Sequence, residues 1–261
     1  MIKLTKQLEK IKMSGQPGFM MHLVAGYPDM ESSRVIAKNI LEEGADILEV
    51  QIPFSDPVAD GPVIAGANEK ALANGATVAS SLAMIKGLVA ETEKPIIIMS
   101  YFNIIYRYGV SAFCETVSSM GVQGLIVPDY PVDEDAADQL LDACKAYDLA
   151  FIQVLASTSR AERIQTLLHN ATGFVYCTAR TGITGKKTVV NEQTLTYLER
   201  IRKLTELPIA VGFGLSSKDQ VSALHSHAEI MIVGSALIKT YMNKPLPEGL
   251  DAIKRFIKSL T

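Results

Sequence analysis

Short hydrophobic runs alternate with longer amphipathic stretches along the whole chain. The runs favour extended structure and end at glycine, proline or aspartate, whereas the stretches repeat apolar positions with a helical period. Eight strands are predicted in this way, at residues 19–25, 47–52, 95–101, 122–127, 149–155, 173–178, 208–211 and 229–233. Helices are predicted at residues 2–13, 30–44, 63–74, 77–93, 110–120, 133–147, 160–170, 191–205, 235–243 and 247–260, and another is predicted to end at Leu224. Ser159 is expected to cap the helix at residues 160–170.

Strand and helix alternate eight times, which predicts an α/β fold with a closed parallel sheet, the (β/α)8 or TIM barrel. A helix precedes the first strand and could close the bottom of the barrel, and a short extra helix follows strand eight. No low-complexity linker or charge block divides the chain, so residues 1–261 are predicted to form a single barrel domain. An open doubly wound sheet is the alternative, but no G-x-G-x-x-G follows a strand in the first half.

The second predicted strand and the loop after it carry the strongest chemical signal. Leu48, Val50 and Ile52 share one face of this strand, and Glu49 and Gln51 share the other. Because a barrel strand is covered by helices outside, Glu49 is expected to point into the barrel near its mouth. Burial there suits a carboxyl group that must both give and take protons. The loop brings a second carboxylate, Asp60, to the same mouth. The alternative is a salt-bridged structural glutamate beside a capped loop.

Glycines cluster after the last three predicted strands, at Gly182, Gly185, Gly212, Gly214 and Gly234. Glycine lets backbone N–H groups approach an anion closely, and the helix that Ser235 opens presents its N-terminus to the same place. Barrels of this type commonly bind phosphate there. The alternative is that these glycines only form the turns that connect each strand to the following helix.

Residues 179–190 are expected to form a mobile lid made positive by Arg180, Lys186 and Lys187, with a plain surface loop as the alternative.

Composition narrows the class of protein. The net charge of −3 and the lack of a basic block argue against nucleic acid as a partner. The three cysteines are few and far apart, which indicates reduced thiols in a cytoplasmic protein and no zinc site. His225 and His227 are interpreted as a solvated helix end, so no metal is expected. The sequence shows no signal peptide and no run long enough to span a bilayer.

The run E-V-Q-I-P-F-S-D-P-V-A-D-G-P at residues 49–62 resembles the signature of the tryptophan synthase alpha subunit. The resemblance covers nearly the whole chain. R-T-G-I-T-G at 180–185 is similar to the sixth loop of that family, and G-F-G-L-S at 212–216 and V-G-S-A at 233–236 are similar to its phosphate-binding segments. Y-F-N at 101–103 and P-D at 128–129 resemble the ends of its third and fourth strands.

The chain also departs from the family pattern at three positions. Gln51 stands where many members have glycine, and His22 stands where a phenylalanine commonly packs against indole. An imidazole can still stack there. Met99 replaces a commoner leucine, which conserves volume.

The resemblance implies retro-aldol cleavage of indole-3-glycerol phosphate to indole and glyceraldehyde 3-phosphate in tryptophan biosynthesis. Glu49 is then the acid–base for C3 and the side-chain hydroxyl, and Asp60 accepts the indole N–H. Substrate-binding residues are expected at His22, Met99, Tyr101, Asp129, Tyr176, Thr184, Gly185, Phe213, Gly214, Gly234 and Ser235. Thr184 is expected to order Asp60 when the lid closes.

The same resemblance implies a partner, a beta subunit in an alpha2-beta2 heterotetramer that converts the released indole to tryptophan. Pyridoxal phosphate is expected only in that partner, and the alpha reaction itself is expected to need no cofactor. Three alternatives stay open at this point: a free-standing indole-3-glycerol-phosphate lyase, an isomerase or epimerase on the same barrel, and a non-catalytic activating subunit.

Overall fold

The computed structural model describes residues 1–134, 139–178, 190–212 and 214–261. Its strands are Gly18–Val24 (β1), Ile47–Gln51 (β2), Ile96–Met99 (β3), Gly124–Ile126 (β4), Ala150–Ala156 (β5), Val175–Thr178 (β6), Ile209–Gly212 (β7) and Ile230–Val233 (β8). Each strand pairs in parallel with the next, and β8 pairs with β1 to close the barrel. The predicted (β/α)8 fold is confirmed.

Twelve α-helices lie in the described residues. They are Ile2–Ser14 (α1), Met30–Glu43 (α2), Pro62–Ala73 (α3), Val78–Glu91 (α4), Phe102–Tyr108 (α5), Val110–Ser119 (α6), Leu140–Ala146 (α7), Ala161–His169 (α8), Glu192–Arg202 (α9), Lys218–Leu224 (α10), Ser235–Tyr241 (α11) and Leu246–Lys258 (α12). A 3-10 turn spans Val132–Glu134. The predicted helix before the first strand and the short helix after the eighth are both present.

Three local predictions were wrong. Helix α5 was missed; it begins directly after Tyr101, and the Asp129 carboxylate from the end of β4 accepts its Phe102 N–H at 2.9 Å. The helix predicted over 133–147 is not continuous, because Gln139 has φ 58°, a left-handed conformation that a right-handed helix excludes. Ser159 does not cap α8, which begins after Arg160 without a side-chain cap.

Two hydrophobic clusters occupy the two sides of the sheet, as the alternation of side chains along each strand requires. One cluster fills the interior and includes Met20, Ile47, Ile97, Ala150, Phe174 and Ile230; the larger one lies between the sheet and the helices. Helix α1 covers the bottom of the barrel, where Leu4 and Ile11 belong to the interior cluster. Residues 49 and 51 share the inward face of β2 with Ile47, so the barrel directs both toward its mouth.

Two expectations from composition concern the helices and the thiols. Cys114, Cys144 and Cys177 are buried and form no disulfide. Within the described ranges, no single helix has the length and apolar character needed to cross a membrane. Helices α3 and α4 meet that test only as a pair, across a bend of 107°.

Candidate active site

Glu49 lies inside the barrel at the carboxyl end of β2, as the strand pattern predicts. Its side chain is buried, and in the sheet register it stands beside His22 of β1 and Ile97 of β3. His22 Nδ1 lies 3.2 Å from Glu49 Oε1, so the buried carboxylate has a nitrogen partner from the adjacent strand. This contact supplies the partner that a carboxylate needs when it leaves water.

His22 is held as the ion-pair partner of Glu49. Burial by itself lowers the pKa of His22, but the charge and hydrogen bond of Glu49 outweigh that effect. The charge of Asp60 and the side chain of Gln51 act in the same direction, and the net result raises the pKa of His22 above its ordinary value of 6.5. His22, which is predicted to contact the substrate, is therefore protonated more readily than a free histidine.

Asp60 is delivered to the same mouth by the loop after β2. Its Oδ2 accepts hydrogen bonds from Gln51 Nε2 at 2.7 Å and from the Tyr101 hydroxyl at 3.0 Å. The hydroxyl of Tyr101 in turn accepts from Ala59 N at 3.0 Å. Burial raises the pKa of Asp60, and these two hydrogen bonds and the charge of His22 only partly offset the rise. The two carboxylates are thus held separately, each by a different polar partner.

Sequence reasoning missed the residues that hold this loop in place. The side-chain carbonyl of Asn68, a fully buried residue of α3, accepts the backbone N–H of Phe54 at 2.9 Å, and its amide donates to Ile64 O at 2.9 Å. The Phe54 ring stacks on Tyr101 with centroids 5.1 Å apart. The available signal was an asparagine on the buried face of a helix, a position where a polar residue needs a partner.

Tyr176 lies on β6 and Met99 lies at the end of β3. Met99 is buried in the interior cluster and stands beside Gln51 in the register of β2 and β3. Burial raises the pKa of Tyr176 well above 10, and the nearby charges of Glu49 and Asp60 raise it further. The ring of Tyr176 also explains why residue 212 is a glycine, because a Cβ at that position would lie 2.7 Å from the ring.

The remaining predicted residues divide into two groups. At the rim, Gly234 lies next to His22, Ser235 begins α11, Gly214 has φ 68°, and Asp129 accepts the first amide of α5. Thr184, Gly185 and Phe213 lie outside the described residues, as does the predicted lid up to residue 189. The structure therefore describes the carboxylate half of the predicted site more fully than its phosphate half.

Three buried polar atoms at the mouth have no hydrogen-bond partner among the residues that the structure describes: His22 Nε2, Glu49 Oε2 and Gln51 Oε1. Buried polar groups are nearly always paired, and an unpaired one costs about 1–3 kcal/mol. Three such atoms on two adjacent strands indicate a surface that a polar ligand completes. The arrangement offers a free carboxylate oxygen for proton transfer and a second carboxylate that can accept a hydrogen bond from the ligand.

Fold and site together define a parallel (β/α)8 barrel with two carboxyl groups, Glu49 and Asp60, at the carboxyl ends of its strands. The sequence profile described as tryptophan synthase alpha chain matches residues 8–256. The alpha chain of Desulforapulum autotrophicum is 41% identical over 92% of this chain and 93% of the relative. That of Desulfotalea psychrophila is 38% identical over 98% and 99%. The chain belongs to the tryptophan synthase alpha chain family.

Solved structures agree with this assignment. A chain of Mycobacterium tuberculosis tryptophan synthase aligns with a TM-score of 0.88 and 31% identity over 98% of this chain and 97% of its own. A chain of the tryptophan synthase complex from Pyrococcus furiosus aligns with a TM-score of 0.85 and 28% identity over 94% and 98%. The barrel and its closure are therefore shared with experimentally determined members of the family.

Proposed function

We propose that this chain cleaves indole-3-glycerol phosphate to indole and glyceraldehyde 3-phosphate by a retro-aldol reaction, as an aldehyde lyase of tryptophan biosynthesis. The observation that carries the proposal is the pair of separately held carboxylates at the barrel mouth. Glu49 has one oxygen bound to His22 and one without a partner, and Asp60 is fixed by Gln51 and Tyr101. The two groups can therefore perform different tasks.

Breaking the bond at indole C3 requires that C3 gain a proton and that the side-chain hydroxyl lose one. Glu49 serves as the acid for C3 and as the base for the hydroxyl, with its unpaired oxygen facing the ligand. Protonation of C3 places positive charge on the indole ring nitrogen. Asp60 accepts the N–H of that ring and stabilises the charge in a site already organised before the ligand binds.

The rest of the substrate is assigned to the walls and rim of the mouth. Met99, Tyr101 and Tyr176 line the indole end, and Asp129 lies at the end of β4 beside them. Gly214, Gly234 and Ser235 receive the phosphate, whose distance from C3 makes it a source of remote binding energy. Thr184, Gly185 and Phe213 stay predictions from the resemblance.

The proposed reaction moves one proton and breaks one carbon–carbon bond, which the side chains present can accomplish without a cofactor. Pyridoxal phosphate is assigned to a beta subunit only. The aligned structures from Mycobacterium tuberculosis and Pyrococcus furiosus are named as tryptophan synthase, the latter as a complex. We assign this chain the same kind of partner, in an alpha2-beta2 assembly. The exposed tip of the loop after β2, where Val58 is 82% exposed, forms part of that contact.

The decisive experiment measures indole release from indole-3-glycerol phosphate by the purified chain, with and without a beta subunit. Slow turnover alone and faster turnover with beta supports the proposal. Full activity without beta indicates a free-standing lyase. A chain that releases no indole but still accelerates beta is a non-catalytic activating subunit, and the proposed reaction is then wrong.

A further inference from the structure

The contacts of Glu49 and His22 leave each group with one engaged atom and one free atom. Glu49 Oε1 lies 3.2 Å from His22 Nδ1, whereas Glu49 Oε2 and His22 Nε2 are buried without partners. Both side chains are almost fully buried. The two side chains therefore form a buried pair on the inner wall of the barrel, and one carboxylate oxygen has no partner among the described residues.

The elements packed around the ring add negative charge or none. Glu49 of β2 and Asp60 of the following loop are the carboxylates whose charges act on His22 in the described part of the chain, and Gln51 adds a neutral amide. Gly234, directly after β8, lies beside His22, and the apolar Ile64 of α3 lies beside Gly234. The phenols of Tyr101 and Tyr176 stay neutral, since burial raises the pKa of both. This environment favours a proton held between the ring and Glu49.

We propose that His22 is a positioning residue that shares one proton with Glu49, so that the pair acts as a single acid–base unit. This proposal rests on the proposed lyase function. With the proton on Glu49, the carboxyl group protonates indole C3. The resulting carboxylate takes the proton of the side-chain hydroxyl while the carbon–carbon bond breaks and the aldehyde forms. One C–H bond replaces one O–H bond, and the pair again holds one proton.

Sharing changes the pH range in which the unit works. A histidine whose pKa is raised on folding keeps its proton above pH 6.5 and loses it only as the pH rises through the folded value. The pair therefore holds a proton until the pH rises through the raised pKa of His22. Phenylalanine, the family residue at this position, supports stacking but not this sharing.

The first test compares the pH dependence of kcat and KM in wild type, His22→Phe and His22→Gln. His22→Phe should move the basic limb of kcat to lower pH by about one unit, which costs roughly tenfold in kcat at alkaline pH. KM should stay within about threefold, because the apolar ring still fills the wall. His22→Gln restores a hydrogen bond to Glu49 without a titrating group, so the loss of kcat at alkaline pH should persist in this variant. An unchanged profile in His22→Phe overturns the proposal.

The second test needs no turnover. Ring resonances of the four histidines are followed by NMR during a pH titration, and His22 is assigned by its absence in His22→Phe. Its midpoint should lie above 6.5 in wild type and fall by at least one unit in Glu49→Gln, because burial then acts against the charged ring. An unchanged midpoint overturns the shared proton even in an active enzyme. A coupled titration in a chain that cleaves no indole-3-glycerol phosphate overturns the lyase function and leaves the pair standing.

Discussion

The two ends of the barrel interior treat polar groups in opposite ways. At the floor, Gln123 Oε1 accepts the amides of Lys3 at 2.8 Å and Leu4 at 3.2 Å, and its Nε2 donates to Gly121 O at 2.9 Å. At the mouth, Gln51 has its Nε2 bound to Asp60 but its Oε1 buried without a partner. Two buried glutamines of the same fold therefore serve different ends, since one completes the structure and the other leaves an atom for a ligand.

Steric packing shows the same contrast. A Cβ on Gly18, below the floor, would lie 2.3 Å from Ile11 of α1, a separation that real Cβ contacts do not show. A Cβ on Gly234, at the mouth, would lie 3.5 Å from His22 and Ile64, which is ordinary contact. The floor is packed more tightly around Gly18 than the mouth is around Gly234. Substitutions at the floor should therefore change stability and leave activity nearly unchanged. Substitutions at the mouth should change activity and leave stability nearly unchanged.

The largest effect is expected for Glu49→Gln, which removes the acid–base group. Turnover of indole-3-glycerol phosphate should fall by at least about 10²–10⁴-fold, while binding of a phosphate analogue and the melting temperature change little. Glu42→Gln, on the exposed face of α2, is the matched control. Near-normal turnover by Glu49→Gln would show that this carboxylate is structural.

The next effect is expected at the floor, where Leu4 is 1% exposed. Leu4→Ala should lower the free energy of unfolding by about 2–5 kcal/mol, because it leaves a cavity between α1 and the interior cluster. Met13→Ala on the same helix, at a residue 87% exposed, should stay within about 0.5 kcal/mol of wild type. Urea denaturation measures both. A loss of kcat at a temperature where Leu4→Ala is fully folded would contradict the separation of floor and mouth.

Asp60→Asn should reduce kcat by about 10²-fold without unfolding the chain, because the indole nitrogen loses its charged partner.

Folding raises the pKa of Asp60, so the native state holds that proton more tightly than the unfolded chain does. The stability of the fold therefore falls as the pH rises through the interval above 3.8. The asparagine variant lacks this loss and should be at least as stable as wild type at neutral pH. Kinetics and denaturation at pH 4 and 7 test both statements; an unfolded variant would make Asp60 structural.

The same substitution at the two glutamines compares the mouth with the floor directly. Gln51→Leu removes one hydrogen bond to Asp60 and one unpaired oxygen, so it should cost about 1 kcal/mol in activation energy, roughly fivefold in kcat, with little change in stability. Gln123→Leu leaves the amides of Lys3 and Leu4 unpaired, and it should cost about 1–3 kcal/mol in stability without changing kcat of the folded chain. The reverse pattern would show that the mouth also carries stability.

The smallest effect on the isolated chain is expected for Asp56→Ala, in the exposed loop between Glu49 and Asp60. Basal indole release should stay within about twofold of wild type, because Asp56 contacts neither carboxylate of the pair. Activation by, or affinity for, a beta subunit should fall, since this loop is stiffened by Pro53 and Pro57 and transmits the state of the site. Titration of both chains with beta measures this, and identical activation curves would remove the loop from the contact.

The inward direction of Glu49 was predictable because alternate apolar positions on a strand define its outward face. This relation involves only residues close together in the chain. The order of strands and helices followed from the same periodicities, as did the apolar stripe of α1 that became the floor. The position of Asp60 in the loop after the second strand predicted that it lies at the mouth, and the resemblance predicted Tyr101 and Tyr176 as residues of the same site. These features depend on residues close together in the chain.

The tertiary structure alone decided how these groups pair. The contact of His22 with Glu49 depends on the register of β1 against β2, and that of Gln51 with Asp60 depends on the path of a loop anchored by Asn68. The start of α5 depends on Asp129 from another strand. Periodicity determines which way a side chain faces, but closure of the barrel brings distant segments together and determines which side chain it meets.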